Sequence, residues 1–592
     1  LLIGIDGYAG GHHTAGSDSL FASFNIVKSG QLGFNSNGTA NTDNTAGMYI
    51  GGRASKCVNS LTGAKVEGGI INTIVGGYGY NGTATTNSTY IGMSGGSVRA
   101  IYGGAGHSTT VGNRVINVTG GLVNYSVLGG SDSYSSTDTD DGVVQGSTLV
   151  YVGGTVTVGD GSTNELNGVE SGSVFGAGGG NSNPNATSKG TVYNSHVIIN
   201  GGTINTSVYG GGNFGSTGTQ YAATSNTTID IYAGTIGSVY GGSKSAGFSQ
   251  SNYGGSSLID INVTGGTIGN IYGGSNTKGT VYGSVDMDIT GGTITGNIYG
   301  GGQGNETVIS NDVDVTIGST SPGPTINGSV YGGSAFGTVN SANAGEVNVT
   351  VNCGTITGSV FGGGQGSTTY TPYVNGDITV TVNGGNIGNV FGGNDQAGSH
   401  TETNEVYLNG GTIGNVYGGG NLSSVTNTHV YLDGANVTNL YGGSNTSGNV
   451  STTTVVMTSG TVGNIYGGNN AGGTDGSTSV EVKDGTVTGN IYGGGKGNAT
   501  VVTGDVDVTI GDNNGGPTIS GSVYGGSAFG TVNSANAGEV NVTVNDGVIT
   551  GSVFGGGQGS TTYTPYVNGD ITVTINGIAR SEERRVGKEC RS

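Results

Sequence analysis

The run "VYGG" and its close relatives return along most of the chain, for example from Val208, Val239, Val330, Val416 and Val523. The aromatic slot in this run is filled by Tyr102, Phe175, Tyr209, Tyr240, Tyr272, Tyr299, Tyr331, Phe361, Phe391, Tyr417, Tyr441, Tyr466, Tyr492, Tyr524 and Phe554, and Leu128 takes the same place once. Most neighbours are 24 to 34 residues apart. A period of this length confines the chain to repeat architectures, a solenoid or a propeller-like array.

Ahead of the slots lie alternating segments such as Val347 to Asn352, Asp377 to Asn383 and Asp505 to Gly511. Period-two alternation means β-strand, with Val347, Val349, Val351 and their counterparts Ile378, Val380 and Val382 on the core face. Gly-Gly, Asn-Gly or Asp-Gly steps follow, as at Gly265-Gly266, Gly410-Gly411 and Asp484-Gly485, and supply turns that need positive φ. The runs after these turns are too short for a hairpin meander, so they read as successive corners of a coil. The shortest unit, Tyr417 to Tyr441, has 24 residues, fewer than the roughly 40 of a propeller blade. We therefore expect an all-β fold, a right-handed parallel β-helix of about 17 coils stacked at about 4.8 Å, roughly 80 Å in all.

A larger repeat overlies the coil repeat. The passage "GSVFGGGQGSTTYTPYVNGDITVT" occurs from Gly358 and again, unchanged, from Gly551. It belongs to a block, residues 305–384, that recurs 193 residues later at 498–577. Duplication of a modular array produces this pattern. The domain reading is thus an irregular or degenerate first portion over residues 1–48, solenoid repeats over 49–578, and a foreign tail over 579–592. That tail, "RSEERRVGKECRS" from Arg580, carries 5 of the chain's 16 Lys and Arg and resembles a translated sequencing adaptor. We expect a fragment of a longer metagenomic sequence.

Composition narrows the function. With 131 Gly in 592 residues and only 6 Pro, the glycines sit at fixed places in the repeat, which speaks for order over a flexible linker. The 36 Asp and Glu against 16 Lys and Arg leave too little positive charge for phosphate neutralisation, so a nucleic-acid partner is not expected. No apolar run is long enough for a membrane helix, so membrane insertion of this stretch is not expected either. Cys57, Cys353 and Cys590 are widely separated and suggest neither a disulfide framework nor a zinc site.

Candidate chemistry is sparse. Asp138, Asp140 and Asp141 in "STDTDDG" place hard oxygen ligands close together, as a site for a calcium ion would. Asp286, Asp288, Asp312 and Asp314 read either as a cation-binding ladder on neighbouring coils or as solvated side chains. The glycine runs "GGGQG" and "GGGKG" recur with the coils and continue into no helix, so they are turns and not phosphate loops. The aromatic row, most regular from Tyr209 to Phe554, forms a stacked internal ladder if it faces the core, or a sugar-stacking surface if it faces solvent. The places where unit length varies are the loops after "YGG", such as "SAFGTVNSANAGE" from Ser334 and "QGSTTYTPYVNGD" from Gln365. These loops are the candidate binding elements.

The cadence "GGTIGNVYGGG" with strands of the "VNVTVN" type resembles the adhesin-like β-helix repeats of large microbial surface proteins. That resemblance covers about residues 50–578 and implies a secreted, cell-surface, non-catalytic rod or adhesin that attaches to glycans or surface proteins through its loops. It carries over no active-site residue. The alternative is a carbohydrate-active β-helix enzyme, a polysaccharide lyase or glycosidase, which would need a distinct acidic cluster on one coil.

Overall fold

The computed structural model describes residues 62–77, 88–105, 110–131, 142–161, 169–180, 190–215, 217, 226–245, 258–342, 345–512, 515–534 and 538–576, with short strand pieces at 2–3, 7–8, 24–28, 31–32 and 48–49. The tail 579–592 lies outside the described residues. The chain divides into two units, Leu1–Gly296 with Gly300–Ser310, and Asn297–Tyr299 with Asn311–Ser592.

Alternation decides the first side of every coil. In the second unit Val347–Val351 pairs in parallel with Val313–Ile317 on one side and Ile378–Val382 on the other, so Val315, Val349 and Val380 form one column. Val347, Val349 and Val351 are fully buried while Asn348 and Thr350 remain partly exposed. Each such aliphatic side chain, taken out of water, is worth about 1.5–3 kcal/mol before the entropy of ordering it is counted. The first unit repeats the arrangement with Ile229, Ile261 and Met287 in one buried column. Strand pairing is parallel from coil to coil in both units, the architecture of a right-handed parallel β-helix.

The glycines explain how the coil turns. After the alternating strand, Gly411 adopts φ +87°, a conformation that costs a residue with a Cβ. A further strand follows, Thr412–Tyr417, in which Ile413 and Val416 point inward. At the next corner Gly418 packs so tightly on the coil above that a Cβ there would lie 2.3 Å from the carbonyl oxygen of Gly442. That contact is why the residue after the aromatic is glycine in each "YGG" run. Inside the same corner the Thr428 hydroxyl donates to the Gly442 carbonyl at 2.6 Å, and Thr453 does the same to Gly467.

Amides tie the coils together where the side chains are polar. Asn415 Nδ2 donates to Asn389 Oδ1, Asn439 to Asn415 and Asn464 to Asn439, at 2.9, 2.9 and 3.1 Å. A second such row runs through Asp395, Asn421, Asn445 and Asn470. Each amide accepts from one neighbour and donates to the other, so a half-buried polar group leaves little hydrogen-bonding capacity unused. Register also carries the slot towards the N-terminus, where Tyr8 pairs with Tyr49, Tyr49 with Val75 and Val75 with Tyr102.

Candidate functional site

The aromatic row is internal. Within the first unit Phe175, Tyr209, Tyr240 and Tyr272 stack at 4.8–4.9 Å, nearly parallel. Within the second unit Tyr299, Tyr331, Phe361, Phe391, Tyr417, Tyr441, Tyr466, Tyr492, Tyr524 and Phe554 continue the same motif at 4.5–5.0 Å. Tyr102, Leu128 and most of the rings are buried, so the row is core and not a sugar platform. Strand spacing and ring stacking distance coincide, which makes the ladder a by-product of in-register coils.

The tyrosine hydroxyls reach out of this ladder to the base of the loops. Tyr299 donates to Gln365 Oε1 at 2.8 Å and accepts from Asn297 Nδ2 at 2.9 Å. Burial pushes the Tyr299 phenol up to about 12, so it stays a donor. In the duplicate, Tyr492 donates to Gln558 Oε1 at 2.6 Å and accepts from Asn490 Nδ2 at 3.0 Å. Gln365 and Gln558 open the two identical loops, so each loop is anchored at its first side chain.

The loops themselves hold the exposed aromatics. Ser367 closes a tight turn, its Oγ accepting from Thr369 N and Tyr370 N at 3.2 and 3.0 Å, and Ser560 does the same for Thr562 and Tyr563. The turn lifts Tyr370 onto Phe336 from the preceding coil, ring centres 5.6 Å apart and tilted by 49°. Tyr563 meets Phe529 at 6.0 Å and 51°. Next, the short strand Tyr373–Val374 pairs with Thr338–Val339; Val374 and Val339 turn inward, so Tyr373 turns out. Asn340, at φ 54°, clips the loop shut by donating to the carbonyls of Gly345 and Asn375, and Asn533 does the equivalent to Gly538.

Exposure is the same in both copies: 43% and 58% for Tyr370 and Tyr373, 44% and 60% for Tyr563 and Tyr566. The first copy has further coils on either side of it, so the loop geometry alone presents these rings. No Lys or Arg stands in either 24-residue passage, and the surrounding side chains are Ser, Thr, Asn and Gln. The arrangement offers flat apolar faces with neutral donors and acceptors around them. Sequence reasoning singles out these loops by their length; the signal that further marks the tyrosines is their place off the strand alternation in "TTYTPY".

The acidic candidates are not brought together into one centre. Asp138, Asp140 and Asp141 lie outside the described residues. In the first unit His196 Nε2 lies 2.7 Å from Asp230 Oδ2, and Asn262 Nδ2 donates to Asp230 and Asp260 at 3.1 and 2.9 Å. Burial, helped by Asp230 and Asp288, raises the Asp260 carboxyl above its ordinary value. In the second unit Asp312 Oδ1 accepts from Glu346 N, and Asp314 Oδ1 from Asn348 Nδ2. Among the described residues no group of three or more His, Cys, Asp or Glu is placed to hold a metal ion.

His400 and Asp475 are buried at related register positions. His400 pairs with Val425, Val425 with Val450, Val450 with Asp475 and Asp475 with Val502. The His400 ring donates from Nε2 to the Gly376 carbonyl at 2.6 Å, and burial lowers its pKa. Asp475 is fully buried; its Oδ2 accepts from Asn469 N at 3.0 Å while Oδ1 has no partner. Burial pushes its carboxyl up to about 8, against the opposing pull of the Asn469 N–H. No family model matches the chain, and no curated protein or solved structure matches it either.

Proposed function

We propose that this protein is a non-catalytic, extracellular surface protein of adhesin type whose loops hold neutral glycans. The observation that carries the reading is the twin set of rings, exposed Tyr370 and Tyr373 beside half-buried Phe336, and exposed Tyr563 and Tyr566 beside half-buried Phe529, on anchored loops free of basic residues. Tyrosine combines a rigid apolar face with a polar tip at low entropic cost, which suits the apolar C–H face and hydroxyl rim of a sugar. The lack of Lys and Arg in these loops disfavours phosphorylated or sulfated ligands.

The test is a glycan array probed with the full chain, with and without calcium, read for binding and for cleavage. Saturable binding to neutral glycans is expected, weakened at least tenfold in a variant carrying Tyr370→Ala, Tyr373→Ala, Tyr563→Ala and Tyr566→Ala. Release of shortened glycan by the unmodified protein would overturn the non-catalytic reading and favour a carbohydrate-active enzyme.

A further inference from the structure

The two aromatic clusters belong to the same unit and hang from the same corner of their coils. Between Phe361 and Phe554, the slots that precede the two loops, the ladder runs through Phe391, Tyr417, Tyr441, Tyr466, Tyr492 and Tyr524 at 4.5–5.0 Å per step. Seven coil steps at this spacing separate equivalent atoms of the two loops by about 34 Å.

Both loops are held by the same contacts. Backbone N–H groups of Gln365 and Gly366 donate to Ser334 and Ala335 at 3.1 and 2.9 Å, those of Gln558 and Gly559 to Ser527 and Ala528 at 3.2 and 2.9 Å. Together with the Tyr299–Gln365 and Tyr492–Gln558 bonds, these fix two copies of one binding surface on a stiff frame. Neither cluster has to be ordered on binding, and the spacing between them is set by hydrogen-bonded coils and not by a linker.

We propose that the two clusters act as one bivalent site for a single extended, neutral polysaccharide chain that bridges about 34 Å along the coil stack. This rests on the glycan reading given above. A rigid span turns the second contact into an intramolecular event, so a chain long enough to reach both clusters gains affinity without any new kind of contact. An oligosaccharide that fills one cluster gains nothing from the other.

The experiment uses the full chain and a panel of neutral linear glycans, glucans, mannans, xylans and galactans, each as a tetrasaccharide and as a long polymer. Calorimetry reads affinity and the number of protein molecules per bridging segment. The expected result is polymer binding on the order of a hundredfold tighter than tetrasaccharide binding. The double variants Tyr370→Ala/Tyr373→Ala and Tyr563→Ala/Tyr566→Ala should each bring the polymer down to the tetrasaccharide level, and leave the tetrasaccharide affinity of the remaining cluster intact. Unchanged melting temperatures confirm that these surface variants fold. Equal affinity for both lengths, or loss of binding from only one of the two variants, overturns bivalency while the glycan reading stands. Absence of binding to every glycan at both lengths overturns the two together.

Discussion

At the scale of single residues, the most instructive side chain is Asp475, a carboxyl in a column otherwise filled here by Val450 and Val502. In the unfolded chain it ionises near the usual 3.9, whereas folding holds it protonated up to about 8. Between those values the folded state binds the extra proton, so the Asp475 contribution to stability is fully present below about pH 4 and is lost as pH rises towards 8. Asp475→Asn keeps an acceptor for the Asn469 N–H and removes the titration. We expect it to flatten the pH dependence of melting between pH 5 and 8 and to stabilise the protein at pH 8 by about 1–3 kcal/mol. An unchanged pH profile in thermal unfolding would contradict this. Nothing in the sequence announces Asp475, because "GGTDGSTS" reads as one more polar loop until register puts it beneath Val450.

Among the elements, the aromatic ladder tests how much of the coil is packing and how much is hydrogen bonding. Tyr441 is almost wholly buried between Tyr417 and Tyr466, and its hydroxyl receives only a 3.3 Å bond from Lys496 Nζ. Tyr441→Ala should therefore cost about 3–5 kcal/mol in chemical denaturation. Tyr441→Phe should cost less than about 1 kcal/mol, as the natural phenylalanines Phe361 and Phe391 suggest. Similar losses for the two variants would mean that the hydroxyl, and not the stack, holds the ladder. The strands and the ladder are legible from the sequence because both obey a strict spacing, two residues along "VNVTVN" and one coil between aromatics. Period alone cannot say which way the ladder faces; that shows only in the folded coil, where Tyr417 and Tyr441 are buried beside the tight corner of Gly418 against Gly442. The loop tyrosines obey neither spacing, so their grouping with Phe336 and Phe529 emerges only when coils are stacked.

For the molecule as a whole, the repeat predicts tolerance to changes in coil number. Residues 418–441 form one complete coil between equivalent positions, since Tyr417 pairs with Tyr441 and Tyr441 with Tyr466. Their excision should leave the β-sheet circular dichroism per residue and a cooperative melt intact, because each remaining strand still meets a counterpart in register. Loss of folded structure would show that this coil has a role beyond its contacts with its immediate neighbours. Such contacts exist in one respect. Tyr240 bonds to Gln303, Tyr299 to Gln365 and Tyr492 to Gln558, in each case passing over the intervening coil. Each of these bonds is a latch across two steps of a zipper. A pull on one end of the stack then meets a tooth that cannot open until the one behind it has also let go, and force should be resisted in bites of more than one coil.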